Sequence, residues 1–262
     1  MLCYLIPPLN HLSLMNKGDS YFCLAHLYMA NKEYKDFFLA RRAEGKFVTL
    51  DNGAAERSLV TIDNLIDIVK ELKPNEVIAP DVLFDYKKTI SNLHSFVQRL
   101  TDEKLIDKVN IFAVPQGVTK EEWLKCYKKM LVLPVVKTIG LSKISVSYCW
   151  GNRAVNDQHI KKARRSCISY LKLHDLLAKP IHCLGMGDPT EFLAYKNNSM
   201  IRSTDSCYTI LSALKGVEFT NDKVIQRIKT TNDYFDATLN SEQLILAEKN
   251  IDFLRKIVKK GI

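Results

Sequence analysis

The chain has 262 residues, of which 47% are hydrophobic and 26% charged, with 10 glycines and 8 prolines. This composition excludes a largely disordered chain, and the length suits one α/β barrel of roughly 250 residues. Lysine and arginine outnumber aspartate and glutamate by 38 to 29, and the net charge of +9 favours a polyanionic partner such as nucleic acid.

The sequence also bears on the cellular compartment. No apolar run approaches the roughly 20 residues that span a bilayer, so no membrane association is predicted. The apolar start, Met1 to Pro7, lacks a basic region and a cleavage site and is typical of a first strand. The seven cysteines are an odd number without a Cys-x-x-Cys pair, which argues against a disulfide framework and a zinc ribbon. We therefore expect a cytoplasmic protein with buried thiols.

Short β-type segments alternate with amphipathic segments of helical length, which is typical of parallel strands joined by helices. Strands are predicted at Leu2–Ile6, Phe47–Leu50, Glu76–Ala79, Asn110–Val114, Val135–Ile139, Ile181–Leu184 and Met200–Arg202, with an eighth in Gly216–Thr220. Helices are predicted at Tyr21–Ala43, Ile62–Leu72, Tyr86–Leu100, Lys120–Met130, Gln158–Leu177, Pro189–Lys196 and Ser241–Lys260, with Ser241 as the last N-cap. The sequence thus predicts an α/β fold, a (β/α)8 TIM-type barrel in one domain over residues 1–262, with a C-terminal helix.

Polar or glycine-containing clusters follow the predicted strands from the second onward. They are Asp51–Gly53, Pro80–Asp81, Pro115–Gly117, Gly140–Ser142, Gly185–Gly187 and Ser203–Asp205. In a barrel, the carboxyl ends of the strands share one rim, where active sites of this fold are built. Each cluster alone is ordinary turn or helix-cap chemistry. Six clusters at corresponding positions predict a functional pocket.

The order of these clusters resembles that in the tRNA-guanine transglycosylases and their relatives that put 7-deazaguanine bases into DNA. The family's Asp-Ser-Gly-Gly-Phe-Gln element is similar to Asp51–Glu56, its base-reading Asp to Asp81, and its Val-Gln-Gly to Pro115–Gly117. Its Gly-Gly-Leu turn is similar to Ile139–Leu141, its Met-Gly-Val-Gly-x-Pro to Leu184–Pro189, and its Phe-Asp-Cys to Thr204–Ser206. The resemblance covers Phe47 to Ile210.

The chain also departs from the family. The tRNA enzymes carry a Cys-x-Cys-x-x-Cys and His zinc site after the nucleophile, whereas here only Cys207 and no histidine follow Asp205. Ala55 replaces the aromatic residue that stacks on the base, so we consider Tyr148 and Trp150 for that face, with packing into the barrel rim as the alternative. The chain is most similar to the compact phage-type members that lack zinc, which suggests a viral gene and the host cytoplasm.

The resemblance implies a role for each residue of the pocket. Asp205 would be the nucleophile that attacks C1′, and Asp51 the general acid, with a pKa raised by burial. The base would be bound by Asn52, Glu56, Asp81, Gln116, Gly117, Gly140, Leu141, Gly185, Met186 and Gly187. No metal or other cofactor is implied. A turn or a helix cap is the structural alternative for Asp51, Asp81 and Asp205.

The implied activity is exchange of guanine in DNA for a free 7-deazaguanine base such as preQ0. The same reaction on tRNA, a non-catalytic nucleic-acid-binding barrel and an N-glycosylase are alternatives, and the chain could act as a homodimer. Phosphate contacts are expected at Arg153, Lys161, Lys162, Arg164 and Arg165, with further basic clusters at Lys87–Lys88, Lys125–Lys129 and Arg255–Lys260. A solvated helix face is the alternative for each cluster.

Overall fold

The computed structural model describes residues 1–54, 60–151, 157–195, 198–220 and 233–259. Within these ranges, eight parallel strands pair in sequential order and close into a barrel, with β1 beside β8. The strands are β1 (Leu2–Leu5), β2 (Ser20–Leu24), β3 (Val48–Asp51), β4 (Glu76–Ile78), β5 (Asn110–Ala113), β6 (Val136–Ser142), β7 (Ile181–Leu184) and β8 (Ile201–Ser206). The predicted barrel is confirmed.

Helices surround the barrel. They are α1 (Ala25–Ala30), α2 (Lys32–Ala43), α3 (Ile62–Leu72), α4 (Tyr86–Asp102), α5 (Lys120–Leu131), α6 (Lys143–Trp150), α7 (Asp157–Leu173), α8 (Tyr208–Leu214) and the C-terminal α9 (Ser241–Lys259). Shorter 3-10 segments span Leu9–Lys17, Pro189–Tyr195 and Tyr234–Asp236. In the described part of the chain, no helix combines the length and the apolar character needed to cross a bilayer.

The second strand corrects the predicted order of elements. Ser20–Leu24 is a strand, although the apolar spacing predicted a helix there, and Gly216–Thr220 is not a strand. All five residues of β2 are buried, so the segment shows no alternation of apolar and polar positions. The strand also passes directly into α1 at Ala25 without a turn residue. A short apolar run of this kind cannot be told from a helix by periodicity.

Two helices illustrate how the local sequence sets their boundaries. The predicted limits of α3 are the observed ones, and its start is set by a capping box of Thr61 and Asn64. For α9, the predicted N-cap Ser241 is wrong by one residue. The Asn240 side chain accepts a hydrogen bond from the Gln243 amide at 2.9 Å, and the Gln243 side chain accepts one from the Asn240 amide at 2.9 Å.

An ion pair between the buried Glu76 and the half-buried Arg202 lies in the amino-terminal part of the barrel. The Arg202 guanidinium on β8 donates to both carboxylate oxygens of Glu76 on β4, at 3.0 and 2.8 Å. The Thr138 hydroxyl on β6 donates to the same carboxylate at 2.5 Å. These three residues come from alternate strands, as the side chains of one layer of a barrel interior do. The layer closes the barrel below the carboxyl-terminal rim.

Candidate active site

A cavity of about 680 Å³ opens at the carboxyl-terminal end of the barrel. Asp51 ends β3, Asp81 follows β4, and Asp205 lies near the end of β8, and all three line this cavity. The volume falls in the range of roughly 300–1,000 Å³ of small-molecule sites. The structure therefore brings together three carboxyl groups that are separated by up to 154 positions in the sequence (205 minus 51).

Asp205 is held by two donors on one oxygen. Its Oδ1 accepts a hydrogen bond from His182 Nε2 at 2.9 Å and another from the Gly185 amide at 2.9 Å. Burial raises the pKa of this carboxyl, but the hydrogen bonds from His182 and Gly185 and the charge of Lys143 outweigh burial, so that the pKa lies below its usual value. Among the described residues, none donates a hydrogen bond to Oδ2. Asp205 is thus an ionised carboxylate on the cavity wall.

The helix-cap alternative for Asp205 is wrong. The carboxylate lies in β8, and α8 begins three residues later at Tyr208. The Ser206 hydroxyl accepts the hydrogen bond from the Tyr208 amide at 2.8 Å. The Asp205 side chain is therefore not engaged at the helix N-terminus.

Asp81 is held by two side-chain amides. Asn52 Nδ2 donates to its Oδ1 at 2.8 Å, and Gln116 Nε2 donates to its Oδ2 at 2.6 Å. Burial raises the pKa of Asp81 to about 6, although both hydrogen bonds act in the opposite direction. Asp81 does not cap α4, because Asp85 accepts the hydrogen bond from the Lys88 amide there at 2.9 Å.

Asn52 and Gln116 are committed to contacts within the protein. Asn52 Nδ2 also donates to the Ala79 carbonyl at 2.8 Å, and its Oδ1 accepts from the Ala54 amide at 2.8 Å. Gln116 Oε1 accepts from the Phe84 amide at 3.2 Å. Both side chains line the cavity, but their hydrogen bonds hold Asp81 and the adjoining loops in place. The resemblance implies that the Gln116 amide donates a hydrogen bond to a carbonyl oxygen of the base, and this bond would have to use the second Nε2 hydrogen, because the first is bonded to Asp81.

Asp51 combines a turn with a place on the cavity wall. Its Oδ2 accepts a hydrogen bond from the Gly53 amide at 3.1 Å, which is the turn expected as the structural alternative. The side chain still lines the cavity. The raised pKa expected for Asp51 stays a prediction. Ala55 and Glu56 lie outside the described residues.

The glycine turn after β7 places backbone groups against Asp205. Gly185 has a φ of +69°, and a Cβ there would lie 2.7 Å from Lys143 Cδ, so glycine is required for this conformation. The Met186 amide donates to the Asp205 carbonyl at 3.0 Å, and its side chain lines the cavity. Gly187 is not among the cavity-lining residues. Only the first two residues of the predicted glycine cluster reach the pocket.

Three other predicted base-binding residues do not line the cavity. Gly140 and Leu141 lie inside β6, which continues to Ser142, three residues past its predicted end. A Cβ at Gly140 would lie 2.5 Å from Phe112 Cε2, and one at Gly117 would lie 2.6 Å from the Trp123 amide nitrogen. Close packing therefore accounts for both glycines, and the structure does not bring Gly117, Gly140 or Leu141 to the cavity wall.

Lys143 is a site residue that the sequence reasoning missed. It follows β6 directly, lines the cavity and lies beside Gly185. Its positive charge lowers the pKa of Asp205. It forms no ion pair with a carboxylate among the residues that the structure describes. Because β6 was predicted to end at Ile139, Lys143 was assigned to a long loop; a lysine directly after a strand end was the available signal.

Aromatic side chains line the cavity, but not the two that were predicted. Trp150 packs against Trp123 and Tyr170 at ring-centroid distances of 5.8 and 5.2 Å, and Tyr148 packs against Phe84 at 4.7 Å. Neither residue lines the cavity; both lie in the second half of α6, which packs beside α7. The aromatic side chains at the cavity are those of Phe22, His26, Tyr234 and Phe235. A stacking face at Trp150 or Tyr148 is therefore wrong.

The run from Lys161 to Arg165 is mainly structural. Arg164 is fully buried, with Nε 2.8 Å from Glu191 Oε1, and it donates to the carbonyls of Leu184 and Gly185. A guanidinium in this position cannot reach a phosphate, so the nucleic-acid contact predicted for Arg164 is wrong. Lys161 lies 3.2 Å from Asp188. Arg165 donates to the Thr190 carbonyl at 3.4 Å.

The remaining basic side chains divide between the two ends of the barrel. Lys162 is exposed on α7, and Arg153 lies outside the described residues. The exposed Lys87 and Lys88 occupy the first turn of α4, at the end where the cavity opens. Four exposed lysines of the α5 and α9 clusters lie in the second halves of their helices, toward the opposite end; they are Lys128, Lys129, Lys256 and Lys259. The exposed Lys125 lies near the middle of α5.

The seven cysteines are free thiols, and five of them are buried. Among the described residues, no group of three or more histidine, cysteine, aspartate or glutamate side chains is arranged to hold a metal ion.

No protein-family model matches the chain, and no curated protein is significantly similar to it. Among solved structures, it is similar to methylaspartate ammonia lyase from Clostridium tetanomorphum, with 11% identity and a TM-score of 0.46, over 98% of this chain and 59% of that one. It is also similar to N-acetylneuraminate lyase from Mycoplasma synoviae, with 12% identity and a TM-score of 0.42, over 99% and 98% of the two chains. A putative sugar phosphate isomerase/epimerase from Anabaena variabilis has 12% identity and a TM-score of 0.46, over 97% and 92%.

The chain thus spans about three fifths of the length of the ammonia lyase. Identities of 11 to 12% with TM-scores below 0.5 transfer no activity to it. The resemblance to the transglycosylases therefore stays a prediction from the motifs.

Proposed function

We propose that the chain is a base-exchange transferase that replaces guanine in DNA with a 7-deazaguanine derivative through a covalent aspartyl-sugar intermediate. The observation that carries this proposal is the position of Asp51, Asp81 and Asp205 around one cavity of about 680 Å³. A pair of carboxyl groups in different environments is what cleavage of a glycosidic bond through an oxocarbenium-like transition state requires.

The reaction needs an ionised carboxylate at the sugar and an acid at the departing base. Asp205, whose pKa is lowered, supplies the first: it bonds to C1′ as the bond from C1′ to guanine breaks. Asp51 protonates the departing guanine and then takes a proton from the incoming 7-deazaguanine. The nitrogen of the incoming base attacks C1′, and the Asp205 carboxylate leaves. Protons and charge balance over the cycle, and no cofactor is consumed.

We assign recognition of the base to Asp81 and to two aromatic side chains of the cavity wall, His26 and Phe235. With a pKa of about 6, Asp81 is mostly ionised at neutral pH and accepts N–H groups from a guanine-like edge. Asn52 and Gln116 hold that carboxylate in place. His26 and Phe235, whose ring centroids lie 6.1 Å apart on the cavity wall, take the stacking role for which Ala55 has no ring.

The substrate strand requires cations near the cavity mouth, because the target nucleotide must be flipped out or already unpaired. Lys143 within the cavity, and Lys87 and Lys88 in the first turn of α4, are suited to phosphate contacts. Arg153 and Lys162 stay predicted contacts. A DNA substrate of a phage enzyme places the reaction in the host cytoplasm.

A labelling experiment tests the proposal. The protein is incubated with radiolabelled guanine and with duplex DNA, single-stranded DNA or tRNA, and uptake of label into the polymer is measured. We expect uptake into DNA, and a loss of at least roughly 10³-fold in Asp205→Asn, because the nucleophile is removed. The affinity of Asp205→Asn for DNA should stay near that of the wild type.

Asp236→Asn is the matched control, since Asp236 is an exposed carboxylate that lines the same cavity and should not affect uptake. Full uptake by Asp205→Asn would reject Asp205 as the nucleophile. Uptake only into tRNA would assign the tRNA reaction, and release of free base without uptake would indicate an N-glycosylase. Binding alone would indicate a non-catalytic barrel.

A further inference from the structure

His182 on β7 lies directly below Asp205 inside the barrel. The side chain is fully buried, and both ring nitrogens are engaged. Nε2 lies 2.9 Å from Asp205 Oδ1, and Nδ1 lies 2.8 Å from the Ser203 hydroxyl oxygen. Burial lowers the pKa of His182, so the imidazole is neutral and carries one N–H. Because an ionised carboxylate only accepts, the proton lies on Nε2 and Nδ1 accepts from Ser203.

The hydrogen-bond chain continues to the ion pair of Arg202 and Glu76. Arg202 Nε donates to the Ser203 hydroxyl oxygen at 3.2 Å, which leaves the Ser203 hydroxyl hydrogen for His182 Nδ1. The same guanidinium is fixed by two hydrogen bonds to Glu76. In this chain Arg202 donates to Ser203, Ser203 donates to His182, and His182 donates to Asp205. The contacts with Ser203 and Asp205 together fix the tautomer of His182.

Aromatic rings hold the plane of the imidazole. Tyr4 and Phe112 lie 5.3 Å from His182 between ring centroids, and Phe22 lies at 5.8 Å with an interplanar angle of 12°. These rings are buried. The imidazole cannot rotate away from Asp205 without displacing them, so the direction of its Nε2–H bond is determined by the packing of the barrel interior.

The charged and titratable groups around Asp205 come from several elements. Lys143 after β6 is the nearby cation, and the thiols of Cys3 on β1 and Cys183 on β7 are close enough to interact with the carboxylate. Burial raises the pKa of both thiols, so they stay neutral. Glu76 and Arg202 face His182 from below. Without His182, the carboxylate would keep one donor among the described residues, the Gly185 amide, against the cost of burial.

We infer that His182 is a positioning residue, which fixes Asp205 through Oδ1 so that Oδ2 is presented to the cavity as the reacting oxygen. The claim that Oδ2 reacts rests on the proposed function. The positioning of Asp205 by His182 is a property of the folded protein and does not depend on that function. It adds a role for the barrel interior, since the Arg202–Glu76 pair supports the nucleophile through Ser203 and His182.

The test measures the pKa of Asp205 directly. The carboxyl carbons of aspartate are labelled with ¹³C, the Asp205 signal is assigned by its absence in Asp205→Asn, and it is titrated by NMR in the wild type and in variants. His182→Phe keeps an aromatic ring but removes the N–H donor. We expect the Asp205 pKa to rise by at least about one unit in His182→Phe. His182→Gln, which restores a donor, should return the pKa toward the wild-type value.

An unchanged pKa in folded His182→Phe would overturn the inference, as would an equal rise in His182→Gln. If His182→Phe does not fold, Ser203→Ala decides: a smaller rise is expected because His182 loses the bond that orients it, and no rise overturns the inference. A purely structural role would lower stability without moving this titration. Since the readout needs no turnover, a protein without base-exchange activity can still pass or fail it.

Discussion

At the scale of single residues, the donors around each carboxyl group decide its charge. Asp205 is buried and yet ionised, because His182 and Gly185 donate to one oxygen and Lys143 lies nearby. The side chains that donate to Asp81 are the neutral amides of Asn52 and Gln116, and burial raises its pKa to about 6. The two groups therefore respond differently to acid: between pH 4 and pH 6, roughly, Asp81 gains its proton while Asp205 stays charged.

Arg164, unlike the carboxyl groups at the cavity, is a charged residue with a structural role. Its guanidinium and the Glu191 carboxylate are both buried and in contact. We expect Arg164→Met to lower the free energy of unfolding by about 3–5 kcal/mol, because it leaves Glu191 without its buried partner. Urea denaturation checks this. The exposed Lys162 two positions earlier is the control, and Lys162→Met should change stability by less than about 0.5 kcal/mol. Equal stability of the two variants would contradict the assignment.

At the scale of elements, how well the site residues were placed depended on how well the ends of the strands were predicted. The strands whose ends carry Asp51 and Asp81 were predictable, since each is a short apolar run that stops at a polar turn. The end of β6 was not predictable, because Gly140 interrupts its apolar run two residues before the strand ends at Ser142. β2 could not be recognised as a strand, because all of its residues are buried and its sequence shows no alternation of apolar and polar positions. Contacts such as that of Gln116 with Phe84 depend on tertiary packing, which spacing along the chain does not encode.

The position of Gly140 inside β6 can be tested by substitution. A Cβ at this position would lie 2.5 Å from Phe112 Cε2 and 2.8 Å from Leu184 Cδ1. We therefore expect Gly140→Ala to lower the free energy of unfolding by about 1–3 kcal/mol through overpacking. Adding Phe112→Leu, which removes the contacted ring edge, should make the pair less destabilised than the sum of the single variants in urea titrations. Strictly additive losses would show that Gly140 does not face Phe112.

At the scale of the whole molecule, the barrel topology gathers the site. Parallel strands all end at one rim, so aspartates from β3, from the loop after β4 and from β8 meet although they are distant in sequence. This much followed from the alternation of strands and helices. The helices run back along the barrel, which places the α4 lysines near the cavity and the four exposed lysines in the second halves of α5 and α9 toward the far end. Net charge alone could not distinguish these two groups.

The most direct test of the account is the search for a sugar bound covalently to the protein. Asp51→Asn is incubated with DNA over a long period, denatured, treated with nuclease and protease, and analysed by mass spectrometry. The variant should form the intermediate slowly, because Asp51 also protonates the departing guanine, but without Asp51 to activate an incoming base the intermediate should accumulate. We expect a deoxyribose-linked adduct on the peptide that contains Asp205, and none when Asp205→Asn is combined with Asp51→Asn. An adduct on another carboxylate, such as Asp81, would contradict the assignment of the nucleophile.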